Sequence, residues 1–360
     1  MARPDPAAPG TPVTDMPAGP AVHPATPLPA EDQGALLRRA EAVQAAMTRT
    51  RVIRMEHPRV RLFAKMESDN PTGSVKDRSA VWVLREAVRS GGIAPGTTVV
   101  ESSSGNFALS LATFCRQLGV DFVPVIDPNV NALTERRLRT LCRRVEKVDR
   151  RDETGGFLLS RLARVHELRR ELDGVYWTDQ YANPAAAHGH YELTGAELVT
   201  QIEHIDYLFV GVGTGATVNG LSRRVAEACP GVVVVAVDVT GSVIFGSAPR
   251  RRLIPGIGSS IRPSLVDGAV IDEVLLVSEM DEVAGCRRLL RDHQVYAGGS
   301  TGAVFAAVDR YFEGFRGPPP VVAFLCMDGG DPYRETVFND EWVGANLTPS
   351  LATTTGSPSP

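Results

Sequence analysis

Short apolar runs alternate with amphipathic stretches along most of the chain, and this alternation predicts the fold. Apolar runs of strand length cover residues 98–101, 121–126, 207–212, 232–237 and 321–326. Between these runs, apolar residues recur at the spacing of one helix face. Strands that alternate with helices are typical of parallel sheets covered by helices. The pattern therefore predicts an α/β fold with parallel-rich sheets.

Several helix boundaries follow from the same pattern. Residues 33–50 and 184–201 each have the apolar spacing of a single helix. Another helix is predicted to end at Gly119, because glycine adopts the left-handed conformation that stops a helix. Ser278, followed three residues later by Asp281, predicts the N-terminal cap of a further helix.

Length and composition describe an ordinary globular protein with extended ends. A chain of 360 residues suggests about two domains. The Pro- and Ala-rich N-terminal segment, residues 1–31, and the C-terminal tail, residues 346–360, are predicted to be disordered. The net charge of −4 indicates no nucleic-acid or anionic membrane partner.

Cysteine usage and hydropathy bear on the cellular compartment and on metal and membrane binding. The five cysteines are scattered and form no Cys-x-x-Cys pair, which argues against a disulfide framework and a structural metal site. No apolar run approaches the roughly 20 residues needed to span a bilayer. The N-terminal segment lacks the apolar run of a signal peptide. We therefore expect a cytoplasmic protein that binds neither metal nor membrane.

The segment that precedes the first long predicted helix contains a candidate reactive lysine. Residues 68–78 read SDNPTGSVKDR, and their Asn-Pro and Thr-Gly pairs favour a turn. Lys76 is thus predicted to lie where a helix begins, and the positive helix end makes its amine easier to deprotonate. A neutral lysine amine can form a Schiff base with an aldehyde cofactor. A solvated surface lysine is the alternative interpretation.

Three further polar turns lie between a predicted strand and a helix. The hydroxyl-rich turn 102–106 can hold a carboxylate or simply cap a helix. The turn 211–217, GVGTGAT, can hold a single phosphate or, together with Asp238 after the next strand, a dinucleotide. The glycine-rich turn 298–303 can place a hydroxyl against a ring nitrogen or only cap its helix.

The order and spacing of these segments resemble the fold-type II enzymes that use pyridoxal phosphate, the cysteine synthase group, whose fold is similar to that of the tryptophan synthase β chain. The similar segments are the lysine segment 70–78, the carboxylate loop 103–106, a second carboxylate contact at 180–184, the phosphate cup 213–217 and the ring-nitrogen contact 298–300. The resemblance extends from about residue 33 to residue 342.

The resemblance implies a cofactor, pyridoxal 5'-phosphate, and a role for each matching residue. Lys76 would hold the cofactor aldehyde and then shuttle the α-proton. The other implied cofactor contacts are Asn106 at the ring hydroxyl, Gly213, Thr214, Gly215, Ala216 and Thr217 at the phosphate, and Ser300 at the pyridine nitrogen. The implied substrate contacts are Ser103, Ser104 and Gln180 at the carboxylate, with Tyr181 either contacting the incoming substrate or packing at a strand end.

The resemblance also implies a domain division and a homodimer. Residues 32–69 and 184–345 would form a larger domain that binds the cofactor phosphate, and residues 70–183 a smaller one that binds the substrate carboxylate.

A neutral hydroxyl at Ser300 would leave the pyridine nitrogen unprotonated and weaken the ring as an electron sink. The cofactor would then favour β-elimination followed by attack of a nucleophile.

Further stretches resemble the synthases that join O-phospho-L-serine and L-glutamate on the way to L-2,3-diaminopropionate, namely 100–106, 153–158, 176–184, 238–246 and 253–258. This resemblance implies N-(2-amino-2-carboxyethyl)-L-glutamate and phosphate as products, and an NAD-dependent dehydrogenase as the pathway partner that supplies a siderophore or peptide antibiotic route. Two anionic substrates need cationic contacts, for which the candidates are Arg161, Arg164, Arg251, Arg252 and Arg262.

Three other functions remain open at this point. One is a cysteine synthase that uses O-acetylserine or O-phosphoserine with sulfide. Another is an NAD-dependent oxidoreductase that uses residues 211–216 and Asp238. The last is a non-catalytic module that binds the cofactor without turnover.

Overall fold

The structure is a computed structural model that describes residues 32–153 and 155–347. The N-terminal segment predicted to be disordered, residues 1–31, lies outside the described residues. Of the predicted tail, Asn346 ends the last helix, and residues 348–360 also lie outside the described residues.

The described residues form helices and strands in alternation. The helices are α1 (Gln33–Ala45), α2 (Lys76–Arg89), α3 (Asn106–Leu118), α4 (Ala132–Leu141), α5 (Leu158–Glu171), α6 (Pro184–Gly189), α7 (Ala196–Gln201), α8 (Ala216–Ala228), α9 (Glu279–His293), α10 (Gly299–Tyr311) and α11 (Asp340–Asn346). The strands are β1 (Val52–Met55), β2 (Arg61–Met66), β3 (Thr98–Ser102), β4 (Asp121–Ile126), β5 (Glu146–Lys147), β6 (Val175–Trp177), β7 (Tyr207–Gly211), β8 (Val233–Val239), β9 (Glu273–Val277) and β10 (Val321–Cys326).

These strands form two sheets. A six-stranded sheet has the order β1-β2-β10-β7-β8-β9, and a four-stranded sheet has the order β5-β4-β3-β6. All neighbouring pairs are parallel except β1 with β2. The predicted α/β class with parallel-rich sheets is therefore confirmed. The antiparallel edge strand β1 was missed, because four residues with one buried side chain carry too little pattern.

Burial explains why the central strands were recognisable from sequence. All six residues of β10 are buried, as are the last six of the seven residues of β8. Strands covered by helices on both faces are uniformly apolar. The predicted stop at Gly119 is also confirmed, with φ at +75°. So is the predicted cap, in which the Ser278 hydroxyl accepts from the Asp281 N–H and the Asp281 carboxylate accepts from the Ser278 N–H.

Two of the predicted helices differ from the observed ones. The first ends at Ala45 rather than at residue 50. The helix predicted over 184–201 is interrupted by a π-helical segment, His190–Gly195, between α6 and α7. Helix α8 packs against this segment at Gly220, where an added Cβ would lie 2.6 Å from the Tyr191 backbone nitrogen and 2.8 Å from the His190 side chain. The interruption therefore accompanies a contact that no local pattern shows.

The two sheets draw on different parts of the chain. The six-stranded sheet uses residues 52–66 and 207–326, and the four-stranded sheet uses residues 98–177. This distribution is compatible with the proposed division into a larger and a smaller domain, which stays a prediction. Among residues 32–153 and 155–347, no helix is long and apolar enough to cross a membrane.

A buried ion cluster supports the turn that precedes α2. It consists of Lys65, Glu67, Arg78 and Glu197. The Lys65 Nζ lies 2.8 Å from Glu197 Oε2, and the Arg78 guanidinium lies 2.7 Å from Glu197 and 3.1 Å from Glu67. The side chains of Lys65 and Glu67 are fully buried. Glu67 also accepts from Asn70 Nδ2 at 2.7 Å, which ties the cluster to the turn.

We expect Arg78→Ala to lower the free energy of unfolding by about 3–5 kcal/mol, because it leaves the buried Glu67 and the partly buried Glu197 short of a counter-charge. Urea denaturation of the cofactor-free protein measures this loss. Arg89→Ala is the matched control on the same helix: Arg89 pairs with Glu86 at the surface, with 60% of its side chain exposed, so its loss should change the free energy of unfolding far less. Similar losses in the two variants would contradict the importance of the cluster.

Candidate active site

A cavity of about 430 Å³ lies at the carboxyl ends of the central parallel strands. The residues that follow β3, β7 and β10 all line it, together with the first residue of α2. Ligands in α/β proteins bind at this edge of a sheet. The predicted site residues that line the cavity are Lys76, Ser103, Ser104, Asn106, Gln180, Tyr181, Gly213, Thr214, Gly215, Thr217 and Ser300. Segments far apart in the chain are thus gathered around one space.

Lys76 is the first residue of α2, as the turn pattern predicted. Burial lowers the pKa of its amine, and the negative charge of Asp328 partly opposes that shift. The direction of the shift agrees with the sequence prediction, which attributed it to the positive helix end. Loss of contact with water is the larger cause in the structure.

The turn before Lys76 is held in place by a network of hydrogen bonds. Asn70 Nδ2 donates to the carbonyl oxygen of Ser74 at 3.1 Å. Asp77 accepts from the Thr72 N–H at 2.7 Å and from the Ser110 hydroxyl at 2.5 Å. The amine of Lys76 is therefore presented from a well-anchored segment rather than from a free loop.

The predicted carboxylate loop lies between β3 and α3. The Ser103 hydroxyl accepts from the Ala108 N–H at 3.2 Å, while the Ser104 hydroxyl donates to Asp127 at 2.9 Å. Gln180 approaches from another segment, and its Nε2 donates to the Ser102 carbonyl oxygen at 2.8 Å. The structure thus places the hydroxyls of both serines and the Gln180 amide at one side of the cavity.

A buried carboxyl group that the sequence analysis missed supports this loop. Glu101 accepts from the Ser102 N–H at 2.7 Å, from the Gln180 N–H at 3.2 Å and from the Thr178 hydroxyl at 2.5 Å. Burial raises the pKa of Glu101 to about 7. A glutamate at the end of an otherwise apolar strand was the available sequence signal. Its role is to bind two distant segments of the substrate side together.

The predicted phosphate cup connects β7 to α8 and ends at a helix N-terminus. Gly215 has φ at +87°, and an added Cβ would lie 2.8 Å from the Val266 side chain, so only glycine fits this position. Ala216 does not line the cavity, because its methyl group packs into the core beside Leu265. Any part it plays in the cup rests on its backbone N–H. Helix N-termini with converging N–H groups suit a phosphate.

A buried histidine lies behind the cup, and the sequence analysis did not identify it. His190 Nε2 is 2.8 Å from the Ser79 hydroxyl and 3.2 Å from that of Thr217, and its Nδ1 is 2.9 Å from the Thr194 hydroxyl. Burial keeps its pKa well below the usual range, so the ring is neutral. His190 therefore orients a hydroxyl of the cup without adding charge.

The dinucleotide interpretation is not favoured by the geometry. Asp238, whose carboxylate would have to reach a ribose, is fully buried in β8 and accepts from the Val239 N–H at 2.8 Å. It does not line the cavity. Ser300, by contrast, lies in the first turn of α10 and lines the cavity with a neutral hydroxyl.

One of the five candidate arginines reaches the cavity. Arg161 Nη1 donates to the Ser104 hydroxyl at 3.1 Å, and its Nε lies 3.2 Å from Asp127 Oδ2. Arg164, one helical turn away, is instead paired with Glu146, Glu167 and Glu171. The remaining candidates, Arg251, Arg252 and Arg262, do not line the cavity.

Within the described part of the chain, no group of three or more His, Cys, Asp or Glu side chains could hold a metal ion. The five cysteines are free and buried.

The residues fit pyridoxal phosphate on their own chemistry. A buried amine with a lowered pKa suits an aldehyde, and a glycine-rich helix N-terminus suits a dead-end phosphate. The neutral hydroxyl of Ser300 suits a pyridine nitrogen. The cavity volume is within the range of small cofactor sites, about 300–1,000 Å³.

Known proteins similar to this chain agree with that fit. Two curated relatives are each named N-(2-amino-2-carboxyethyl)-L-glutamate synthase. The one from Ralstonia nicotianae is 41% identical over 78% of this chain and 83% of its own length, and the one from Cupriavidus metallidurans is 39% identical over 78% and 84%. The crystal structure of O-ureido-L-serine synthase superposes with a TM-score of 0.74 at 25% identity, covering 86% of this chain and 96% of that one.

A family model described as pyridoxal-phosphate dependent enzyme matches residues 43–326, which is most of the chain. The match includes the lysine segment, the carboxylate loop, the phosphate cup and Ser300. The chain therefore belongs to the family of pyridoxal-phosphate-dependent enzymes, with pyridoxal 5'-phosphate as its cofactor.

Proposed function

We propose that this enzyme joins O-phospho-L-serine and L-glutamate by β-replacement. The products are phosphate and N-(2-amino-2-carboxyethyl)-L-glutamate, a precursor of L-2,3-diaminopropionate. The bond from the serine Cβ to the phosphate oxygen breaks, and a bond from Cβ to the glutamate nitrogen forms as that amine loses a proton. The observation that carries the proposal is the name shared by the two curated relatives, at 41% and 39% identity over most of both chains.

When bound, pyridoxal phosphate supplies the electron sink that labilises the α-hydrogen of an amino acid and lets a β-substituent leave. Lys76 is the residue that anchors the cofactor aldehyde and moves the α-proton. Burial lowers the pKa of its amine, although the charge of Asp328 opposes that shift, so the neutral form is easier to reach than in a lysine exposed to water. A base of this kind contributes about 10²–10⁴-fold to a proton transfer.

The remaining predicted contacts orient the cofactor and the first substrate. Asn106 and Ser300 line the cavity; Asn106 would hold the ring hydroxyl of the cofactor and Ser300 its ring nitrogen, where a neutral partner would favour loss of the leaving group over transamination. The cup residues, Gly213, Thr214, Gly215, Ala216 and Thr217, hold the phosphate through N–H groups and hydroxyls. The substrate carboxylate binds at Ser103, Ser104 and Gln180.

Arg161 provides the positive charge that an anionic second group requires. It lines the same cavity, with 13% of its side chain exposed, and donates to Ser104 of the carboxylate loop. Tyr181 lies beside it at the cavity wall. A guanidinium at this place suits either the leaving phosphate or a glutamate carboxylate.

We further propose that the enzyme works as a homodimer in the cytoplasm, where the five free cysteines stay reduced. Its product would pass to an NAD-dependent dehydrogenase that releases diaminopropionate.

The reaction is tested by offering O-phosphoserine with glutamate, with sulfide, or alone, and analysing products by mass spectrometry. We expect rapid phosphate release and the glutamate adduct only when glutamate is present. O-acetylserine replaces O-phosphoserine in a parallel series to identify the leaving group. Cysteine as the main product, with phosphate release that does not depend on glutamate, would instead identify a cysteine synthase.

The anchoring lysine is tested by borohydride reduction of the cofactor-loaded protein, followed by peptide mapping. The chain has three lysines, Lys65, Lys76 and Lys147, so the map is unambiguous. We expect the reduced cofactor on Lys76 alone, and we expect Lys76→Ala to lose the visible absorbance band and about 10²–10⁴-fold in kcat. Label on Lys65 or Lys147, or an unmodified Lys76, refutes this role.

The anion contact is tested by Arg161→Ala, with Arg164→Ala as the matched control on the same helix. Hydrogen bonds to charged groups contribute about 1.5–3 kcal/mol, so we expect KM for one of the two substrates to rise about ten- to hundredfold. Arg164 makes its contacts at the surface, and its loss should leave both KM values near those of the native enzyme. The role fails if both KM values are unchanged in Arg161→Ala.

A further inference from the structure

A buried aspartate beside Lys76 belongs to none of the sequence motifs discussed above. Asp328 follows the central strand β10, at the carboxyl end where the cavity opens. Its backbone pairs with that of Ser74, and the Val75 N–H donates to the carbonyl oxygen of the preceding Met327 at 2.8 Å. The strand end therefore lies directly against the segment that leads into Lys76.

The two carboxylate oxygens of Asp328 have different surroundings. Oδ2 accepts from Asn106 Nδ2 at 2.7 Å and from the Tyr333 hydroxyl at 2.9 Å. Oδ1 has no hydrogen-bond partner within the described ranges, although the residue is only 3% exposed. A buried carboxylate oxygen without a donor is costly, which points to a partner that Oδ1 meets during function.

The backbone opposite Oδ1 leaves this arrangement little freedom. An added Cβ at Gly298 would lie 2.2 Å from Oδ1 and 2.4 Å from the Tyr333 ring. The Gly298 N–H also donates to the Asp328 carbonyl oxygen at 3.1 Å. The glycine that opens the ring-nitrogen turn is therefore also the residue that makes room for this carboxylate.

The charged and titratable groups around the pair are few. Lys76 faces Asp328 from α2, Tyr333 faces it from the segment after β10, and the buried thiols of Cys286 and Cys326 lie near it. Burial, and to a smaller extent the positive charge of Lys76, lower the pKa of His190, which is neutral. The negative charge of Asp328 acts on Lys76 in the direction that favours the protonated amine, opposite to the effect of burial.

We propose that Asp328 is a positioning residue that acts through Lys76 and Asn106: its carboxylate is the counter-charge for Lys76 whenever that amine carries a proton, and it fixes the direction of the Asn106 amide. This rests on the role proposed above for Lys76. In the reaction, the lysine takes the proton from the substrate Cα and later returns it there. Between those steps an ammonium is buried, and it needs a nearby anion.

The Asn106 part of the proposal follows from hydrogen-bond direction. A carboxylate only accepts, so the Asn106 group at 2.7 Å from Asp328 must be the amide nitrogen. One N–H of that nitrogen is then committed to Asp328, and the second N–H remains for a ligand in the cavity. Asp328 thereby determines which N–H of the Asn106 amide is available to a bound cofactor.

Trace labelling of amines with acetic anhydride tests the proposal in the full chain freed of cofactor. Only neutral amines react, so the rate at Lys76, measured by peptide mass spectrometry from pH 6 to 11, reports its protonation. Exposed Lys147 is the internal reference within each sample. Asp328→Asn removes the charge at constant shape, while Tyr333→Phe removes one hydrogen bond from the same oxygen and keeps the charge. Asp328→Ser gives the same readout should Asp328→Asn fail to fold.

In Asp328→Asn we expect the labelling midpoint of Lys76 to move to lower pH, with about tenfold faster labelling on the acid side of the native midpoint. In Tyr333→Phe the midpoint should stay near that of the native protein. In the loaded enzyme, the charge-removing variant should lower kcat about a hundredfold, with little change in KM and a pH profile displaced in the same direction.

A merely structural aspartate would behave differently. It would lower the stability of the variant in urea while leaving the labelling midpoint and the kcat profile in place, and that result overturns the proposal. An equal midpoint shift in Tyr333→Phe overturns it as well, since charge would not be the cause. Failure of the proposed function is distinguishable: borohydride mapping of the native protein would then leave Lys76 unmodified, whatever the variants of Asp328 do.

Discussion

The structure depends on one electrostatic constraint. The Lys76 amine is buried away from water, so its positive charge needs a compensating group. In the proposed reaction Lys76 loses and gains a proton inside the protein, where an isolated ammonium is costly. The ion cluster of Lys65, Glu67, Arg78 and Glu197 acts indirectly. Glu67 accepts a hydrogen bond from Asn70 and so supports the turn that precedes Lys76. Asp328, at the end of the neighbouring strand β10, supplies the opposing charge. The ion cluster thus supports the turn that leads into Lys76, and Asp328 opposes the effect of burial on its amine nitrogen.

Close backbone approach is the second condition for the site. Gly215 lies against Val266 where the phosphate cup turns into α8, and Gly298 lies against Asp328 where α10 begins. A methyl group at either place would push apart segments that must touch. Both positions lie just before a helix N-terminus, where unpaired N–H groups face the cavity. The same glycines therefore allow the close packing at the starts of the two helices, whose first turns border the cavity.

The neutral partners of the site are as informative as the charged ones. His190, held uncharged by burial, orients Thr217, and Ser300 offers a hydroxyl where a carboxylate would change the electronics of a pyridine ring. In the described part of the chain, Arg161 is the cationic side chain other than Lys76 that lines the cavity, and it meets Ser104 there. Such a distribution suits a reaction in which a β-substituent departs and an anionic amino acid replaces it.

Local pattern was sufficient wherever the deciding interactions lie within a few residues of each other. The alternation of apolar strands and amphipathic helices identified the α/β class. The Gly119 stop and the Ser278 cap were predicted correctly because a helix end is determined by its own turn. The motif turns around Lys76, Asn106, Gly215 and Ser300 were recognisable for the same reason, and the structure brings them to one cavity.

Only the tertiary structure decided the contacts between distant segments. Arg161 and Arg164 lie on one helix in similar sequence, yet one meets the cavity and the other meets surface carboxylates. Asn106 and Asp328 are 222 residues apart and share a hydrogen bond. The sequence by itself determined the class of fold, and it identified the lysine segment and the polar turns that the structure brings to one cavity. The supporting contacts of Glu101, His190 and Asp328 were decided only by the tertiary structure. Contacts between residues far apart in the chain produce no periodic pattern in the sequence.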